Sequence, residues 1–441
     1  MIWEMVKIND LKSNLKYALV GGPFGSNLSG KHYVDSGVPV IRGGNLPFDK
    51  KFSANGFVYV SEEKANRLIS NTAHPGDIVF TQRGTLGQVG IIPFNLHEKF
   101  IISQSQMKLT VDESKAFPLY IYYYFRTEEC IQRIENAALS SGVPHINLGI
   151  LQNFKIPLAP LPTQKKIAFI LSAYDDLIDN NNQRIQLLEE MAEEIYKEWF
   201  VRFRFPGYQQ CQFFDKAGNE VPHGTVGALP DGWEENSLAK VTGLIKRGIS
   251  PTYDEKGDTI VLNQRCIRAN KINLNLGKRQ SKKISSEKLV RFGDILVNST
   301  GEGTLGRVAQ VYESLENWSV DSHVTIIRPS SNVNLDFLGT SLLSKQPIFE
   351  NLAFGSTGQT ELGREDVGKI KVIIPDVLLQ NKFGKIISPM RSEIILLSKK
   401  NQLLQETRDL LLPRLISGKL DVSTMVGSDS MEELMTEGAE G

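Results

Sequence analysis

The chain is poor in the residues that anchor most disulfide, metal and membrane proteins. Three cysteines, Cys130, Cys211 and Cys266, occur in 441 residues. They lie far apart with no Cys-x-x-Cys spacing, which argues against a disulfide framework or a zinc knuckle and reads as buried free thiols. No apolar run approaches the roughly 18 residues that span a bilayer. Met1-Ile2-Trp3-Glu4 lacks the basic-then-apolar pattern of an export signal, so no membrane association and a cytoplasmic location are expected. The six histidines show no metal-ligand spacing, and His145 and His223 read as loop residues rather than catalytic bases. A phosphate loop, Gly-x4-Gly-Lys-Ser/Thr, is missing too: Gly30-Lys31 is followed by His32, and Gly384-Lys385 by Ile386.

Net charge is also lacking, because 50 Lys and Arg balance 50 Asp and Glu. The distribution is uneven. Residues 240–310 hold 14 bases against 6 acids, whereas residues 421–441 carry six acids and no base. That Gly- and Ser-containing tail reads as disordered and masks a mildly basic body. With 41% hydrophobic residues the remainder can build large cores, and its length calls for two or three domains.

What the chain does have is an internal repeat. Gly76-Asp77-Ile78-Val79 and Thr85-Leu86-Gly87 recur as Gly293-Asp294-Ile295-Leu296 and Thr304-Leu305-Gly306. Ser141-Gly142, Ile156-Pro157 and Gln164 recur in the same order as Thr357-Gly358, Ile374-Pro375 and Gln380. One unit has been duplicated. Each copy opens with short β-branched runs punctuated by Gly, Asn and Pro, which predict irregular β-rich structure. A helix is expected over Pro118 to Ala138, with a less regular counterpart over Leu335 to Leu352. Each copy closes with a long helix. The first is predicted after Pro162, with Thr163 as N-cap, to about Arg202. The second is predicted from about Leu379 to Ser417, stopped by Gly418 and kinked by Pro413.

A seven-residue pattern runs along both long helices. In the first, Ile167, Tyr174, Asn181, Leu188 and Ile195 alternate with Leu171, Ile178, Ile185, Ala192 and Trp199. In the second, Phe383, Met390, Leu397, Leu404 and Leu411 alternate with Ile387, Ile394, Asn401, Arg408 and Leu415. An antiparallel pairing whose partner numbers sum to 582 sets Trp199 against Phe383 and Asn181 against Asn401. Facing asparagines would fix the register, since a slip strands each amide in hydrocarbon. A helix of about 40 residues is roughly 60 Å long.

Longer stretches then become recognisable. Pro160-Leu161-Pro162-Thr163-Gln164-Lys165-Lys166-Ile167, continuing through Leu187-Leu188-Glu189-Glu190-Met191 to Trp199-Phe200-Val201-Arg202-Phe203-Arg204-Phe205-Pro206-Gly207, resembles the central conserved region of type I restriction specificity subunits. Arg408-Asp409-Leu410-Leu411-Leu412-Pro413-Arg414-Leu415-Ile416-Ser417-Gly418 resembles the end of their distal conserved region. Pro23-Phe24-Gly25-Ser26 and Pro75-Gly76-Asp77-Ile78 look like segments of their target recognition domains, and the resemblance extends over about residues 1–420.

The resemblance implies an α+β protein with two duplicated β-rich target recognition domains, separated by two long antiparallel coiled-coil helices with pseudo-two-fold symmetry. Its domains would be residues 1–160, the first recognition domain; 161–205, the central helix; 206–375, a linker and the second recognition domain; 376–420, the distal helix; and 421–441, the acidic tail. Each recognition domain would read one part of a bipartite double-stranded DNA target with an unread spacer between the parts. Two methyltransferase subunits would dock on the helices, bringing S-adenosylmethionine, and restriction or motor subunits would bring ATP and Mg. This chain would hold no cofactor, metal or catalytic residue. It contains no Pro-Pro, and so lacks the Asn/Asp-Pro-Pro-aromatic motif of an adenine methyltransferase. Pro230-Asp231 with Asp254-Glu255-Lys256 loosely mimics a metal-dependent nuclease, but Pro230-Asp231-Gly232 reads as a turn.

Base edges are read by Arg or Lys on guanine and Asn or Gln on adenine, and phosphates are held by exposed cations. In the second copy, Asn263, Gln264, Arg265, Arg268, Lys271, Lys278, Arg279, Lys282 and Lys283 concentrate such groups, with Asn270 and Gln280 among them. Arg42, Asn45, Lys50, Lys51, Gln82 and Arg83 are the candidates in the first copy. Tyr122 to Phe125 could suggest a base-stacking platform, but their helical spacing marks them as core. The alternative reading is a non-catalytic scaffold whose duplicated domains bind protein or glycan, against which the basic cluster and the family motifs both count.

Overall fold

The β-branched runs form short strands, and nearly the same set of strands is built twice. A computed structural model of the protein describes residues 3–138, 145–352 and 361–422. It divides into a first unit, Met1–Asn180 with Lys400–Gly441, and a second unit, Asn181–Lys399. The Ser141-Gly142 and Thr357-Gly358 repeat, and all but the first two residues of the acidic tail, lie outside the described residues.

In the first unit an antiparallel sheet has the order Leu19–Gly21, Gln106–Leu109, Ile78–Thr81, Val89–Ile91. A second sheet has the order Val58–Val60, Val38–Ile41, Phe100–Ile102, Thr72–Ala73, its two central strands parallel. Glu4–Lys7 pairs with Lys155–Leu158 to close the unit. The second unit repeats this plan. Thr242–Arg247, Val324–Pro329, Ile295–Asn298 and Val308–Gln310 form the antiparallel sheet. Lys278–Gln280, Thr259–Leu262 and Trp318–Val320 form the mixed sheet, with its last two strands parallel. Glu234–Ser237 pairs with Lys371–Ile374.

The repeated motifs turn out to be braces. Asp77 and Asp294 are buried at the start of matching strands. Asp77 meets Lys108 Nζ at 3.0 Å, and Asp294 accepts two hydrogen bonds from the Arg328 guanidinium at 2.7 Å. Gln164 and Gln380, both fully buried, do identical work. Gln164 accepts from Phe117 N at 2.8 Å and donates to Ala159 O at 2.7 Å. Gln380 accepts from Asn334 N at 3.0 Å and donates to Pro375 O at 2.8 Å. Each glutamine thus ties the start of a long helix to the start of the helix that follows its sheet, with both ends of its own buried amide paired.

The helix predicted over Pro118 to Ala138 is two, Pro118–Phe125 and Glu128–Ala138. The break comes where the Thr127 hydroxyl accepts from Cys130 N and starts the second. Its counterpart breaks in the same place, into Leu335–Ser344 and Gln346–Leu352. Tyr122 to Phe125 are core residues. The long helices are Leu161–Tyr196, extended by a π turn over Lys197–Val201, and Val377–Ile416. The first begins earlier than its sequence suggests: Gln164 N donates to Pro160 O, which places Thr163 inside the helix rather than at its cap. The second runs through Pro413 without interruption and stops before Gly418, whose φ is +71°.

None of the twenty seam positions is exposed, and Asn181 and Asn401 are both buried. Within the first unit, Ile167, Ala168 and Leu171 share a core with Leu412, Leu415 and Ile416. Further along, Asp175 Oδ1 meets Arg408 Nη1 at 2.5 Å, and Asn401 Nδ2 lies 3.5 Å from Ile178 O. Within the second, Arg184 Nη2 meets Glu393 at 2.7 Å and Trp199 packs on Phe383 at 5.9 Å. In both units the numbers run in opposite directions, the signature of an antiparallel pair.

Candidate nucleic-acid interface

In the second unit, three chain segments converge where the two parallel strands end. Thr259–Leu262 runs into a 3-10 turn, Gln264–Cys266, initiated by the Asn263 carboxamide oxygen accepting from Arg265 N at 2.9 Å. Trp318–Val320 runs into Asp321, which accepts from His323 N at 2.9 Å. Burial pushes the Asp321 carboxyl up, opposed by that amide. The third segment starts at Gly248, where an added Cβ would stand 1.9 Å from Val320 O, so only glycine lets these backbones touch. Together with the strand Lys278–Gln280 they enclose a cleft of about 370 Å³ lined by Tyr253, Asn263, Gln264, Arg265, Leu276, Lys278, Asp321 and His323. Lys278 Nζ sits 5.5 Å from the Tyr253 ring centre, and Thr300 Oγ1 is 2.6 Å from His323 Nδ1. The cleft therefore offers amides, a guanidinium and an exposed aromatic ring, the groups that read base edges and stack on bases.

The first unit builds the same end with different side chains. Val38–Ile41 runs into Gly43–Asn45, and Gly22 touches Ser103 O as Gly248 touches Val320 O, its added Cβ falling at 2.0 Å. The loop that follows is held by the Gln104 carboxamide donating to Gly25 O at 2.5 Å and leaves Phe24 89% exposed. Arg42 is exposed, with one guanidinium nitrogen donating to Gly56 O at 2.6 Å, and Arg83 is exposed beside a half-buried Gln82. Asn45 needs correction as a base reader. It is buried, accepts from Arg42 N at 2.9 Å and donates to Ser53 O at 2.9 Å and Asn55 O at 3.2 Å, so its amide is already fully engaged.

The remaining candidates divide. Lys51 and Lys271 each lean on the first long helix, Lys51 on Asp176 at 2.6 Å and Lys271 on Glu189 at 2.8 Å. Arg279 donates to Gly257 O at 2.9 Å and Lys282 to Ser250 O at 3.3 Å. Gln280 is buried, bonded through its side chain to the backbone of Lys282. Lys50, Arg268, Asn270 and Lys283 are exposed. Tyr253, Asp321, His323 and Thr300 are missing from the sequence-based set because they come from separate segments. The repeat held a signal for two of them, since its offset carries the segment after Phe100–Ile102 onto the one containing Asp321 and His323.

Asp231 and Asp254, the nuclease-like pair, both lie in turns closed by backbone hydrogen bonds, Trp233 N to Pro230 O and Gly257 N to Asp254 O. Among the described residues no group of three or more His, Cys, Asp or Glu could hold a metal, and no helix is long and apolar enough to cross a membrane.

Two matching modules, each presenting polar and cationic side chains from loops at one sheet end and each braced to long seam-forming helices, define a duplicated α+β recognition protein. The chain belongs to the type I restriction-modification specificity subunits: the family described as type I restriction modification DNA specificity domain matches residues 29–190 and 230–406. It is 24% identical to the type I restriction enzyme MjaIX specificity subunit of Methanocaldococcus jannaschii over 446 residues, covering 96% of this chain and 94% of that one. It is 25% identical to the HindI specificity subunit of Haemophilus influenzae, covering 78% and 86%. The fold is that of the crystallised S subunit from M. genitalium, with a TM-score of 0.60 at 18% identity over 94% of this chain and 96% of that one. Such subunits are the non-catalytic specificity components of their systems.

Proposed function

We propose that each unit reads one half of a bipartite double-stranded DNA target, with residues 1–160 and 206–375 as the two recognition domains and an unread spacer between the half-sites. The observation that carries this reading is the loop end at the parallel strands, built twice on one backbone plan but furnished with Arg42, Arg83 and Phe24 in one unit and Gln264, Arg265, Lys278 and Tyr253 in the other. The helices at 161–205 and 376–420 set the spacing and dock two methyltransferase subunits, and restriction or motor subunits complete the cytoplasmic complex. Exposed leucines on these helices, Leu187 and Leu396 among them, support docking, since apolar groups left in water mark partner surfaces. S-adenosylmethionine, ATP and Mg belong to the partners in this scheme.

The test is genome-wide detection of methylated adenine in cells expressing this chain with its methyltransferase, against cells expressing the methyltransferase alone. A new two-part motif is expected. Replacing Arg265 with Ala should relax one position of one half and leave the other half intact. No new methylation, with both proteins expressed and associated, would overturn the reading.

A further inference from the structure

A second cleft, of about 420 Å³, lies in the second unit at the start of the Gly248 segment, lined by Lys246, Arg247, Gly248, Lys288, Glu361, Gly363 and Arg364. Four cations face one carboxylate there. Arg247 is held in place by Glu361 and by donating to Leu362 O at 2.8 Å, yet its Nε is buried with no hydrogen-bond partner among the described residues. Lys288 Nζ donates to Gly248 O at 2.9 Å, which fixes a second cation at the wall. Among the described residues Lys246 is held only by an exposed pair with Glu287 at 2.7 Å, which exchanges at little cost, and Arg364 is exposed with no ion-pair partner.

Strand registers locate the matching positions in the first unit. Ile245 faces Ile327 as Leu19 faces Leu109, so Val20 and Gly21 stand where the second unit has Lys246 and Arg247. Asn71, which donates to Gly21 O at 2.7 Å, takes the place of Lys288. Leu148 opens the helix that Arg364 opens in the second unit. The cations are therefore a property of one copy and not of the scaffold.

We infer that this cleft is a phosphate site, taking one backbone phosphate of the duplex read by the second unit, so that this unit anchors DNA electrostatically in a way the first does not. The inference rests on the proposed DNA reading. Two features favour phosphate over a carboxylate or chloride: several donors converge from different segments, and the cleft shares the Gly248 segment with the base-reading cleft, as a backbone site beside a base site must.

The experiment compares the full chain with its Lys246→Gln/Arg364→Gln variant, and with Arg364→Glu alone, for binding to a random-sequence duplex across a salt series. Affinity should fall several-fold, and the slope of log affinity against log salt should become shallower by about 1, while the methylated motif in cells stays the same. An unchanged slope in both variants, with thermal unfolding intact, overturns the phosphate site while leaving the DNA reading standing. Failure of the unsubstituted chain to bind any duplex removes both. Stabilisation of the chain by inorganic phosphate at constant ionic strength, lost in the variants while their duplex binding is unaltered, would assign the cleft to a free anion instead.

Discussion

Arg408 is the least expected residue of the helix seam and the best place to test what holds the first unit together. Its guanidinium and the Asp175 carboxylate are only 10% and 9% exposed and meet at 2.5 Å. Asp175 Oδ2 also accepts from the Tyr123 hydroxyl at 2.6 Å, so one carboxylate joins both long helices and the helix after the sheet. Burial opposes the Arg408 charge, but the hydrogen bond and attraction from Asp175 outweigh it and raise the guanidinium pKa. The two ends of the pair are unequal. Arg408 keeps Asp409 at the rim if Asp175 is lost, whereas Asp175 without Arg408 is a buried charge with one hydroxyl for company. Arg408→Met should therefore cost about 3–5 kcal/mol, and Asp175→Leu less. The double variant should recover most of the loss, because two apolar side chains of similar size suit a dry seam. Amide hydrogen exchange read by mass spectrometry localises the effect: peptides covering 161–180 and 400–416 should exchange at least roughly 100-fold faster in Arg408→Met, as tenfold corresponds to about 1.4 kcal/mol. A change under about threefold in those peptides, or a double variant as unstable as the sum of the singles, would refute the argument.

The paired glutamines give a matched test. Gln164→Ala and Gln380→Ala should each cost about 2–5 kcal/mol by stranding two buried backbone groups, and hydrogen exchange should place each loss in its own unit. Burial pushes the Cys130 thiol well above the usual range and raises that of Cys266, so both stay protonated and shielded, while Cys211 is half exposed. Alkylation of the native chain at neutral pH should then label Cys211 alone, with all three reacting in denaturant. Gly248→Ala forces the backbone away from Val320, so methylation should lose one half of the two-part motif while the chain still folds; Gly22→Ala should lose the other half.

Local chemistry determined how much could be read beforehand. The seam was legible because period and burial are coupled along a helix, and Trp199 meets Phe383 as the register required. The repeat was legible, but the role of its members was not. Gln164 and Gln380 look like ordinary surface residues until the fold brings Phe117 N and Asn334 N to them. Asn45 failed as a base reader for the same reason: its amide is consumed by Arg42 N and by the carbonyls of Ser53 and Asn55, partners that no periodicity announces. Cys211 departs from the buried thiols expected because it lies between strands of a small sheet, Phe213–Phe214 with Glu220–Val221 and Leu229–Pro230, and the chain linking the long helix to it. The cleft residues Tyr253 and His323 lie some seventy positions apart, beyond any local pattern.

Comparing the two copies separates residues that hold the scaffold from residues that meet a ligand. At matching positions of the two folds, Asp77 and Asp294, Gln164 and Gln380, and Gly22 and Gly248 keep the same residue in the same role: each aspartate meets a cation of the neighbouring strand, each glutamine braces the start of a helix, and each glycine lets two backbones touch. One step outward the copies part: Gly43 and Gly44 against Gln264 and Arg265, Val20 against Lys246, Leu148 against Arg364. Burial explains the first group, since each satisfies a backbone or a charge that would otherwise be stranded in both copies. Nothing in packing demands the second, because most of these positions face water or a cleft. The core differs as well, buried Tyr122 and Tyr123 standing where the second copy has Gly339 and Thr340, but in this outer layer the two units present unlike chemistry on like geometry, and under the proposed reading the two half-sites of the target differ in sequence. A methylated motif whose halves are identical would contradict this directly, even if the chain proved to be a working specificity subunit.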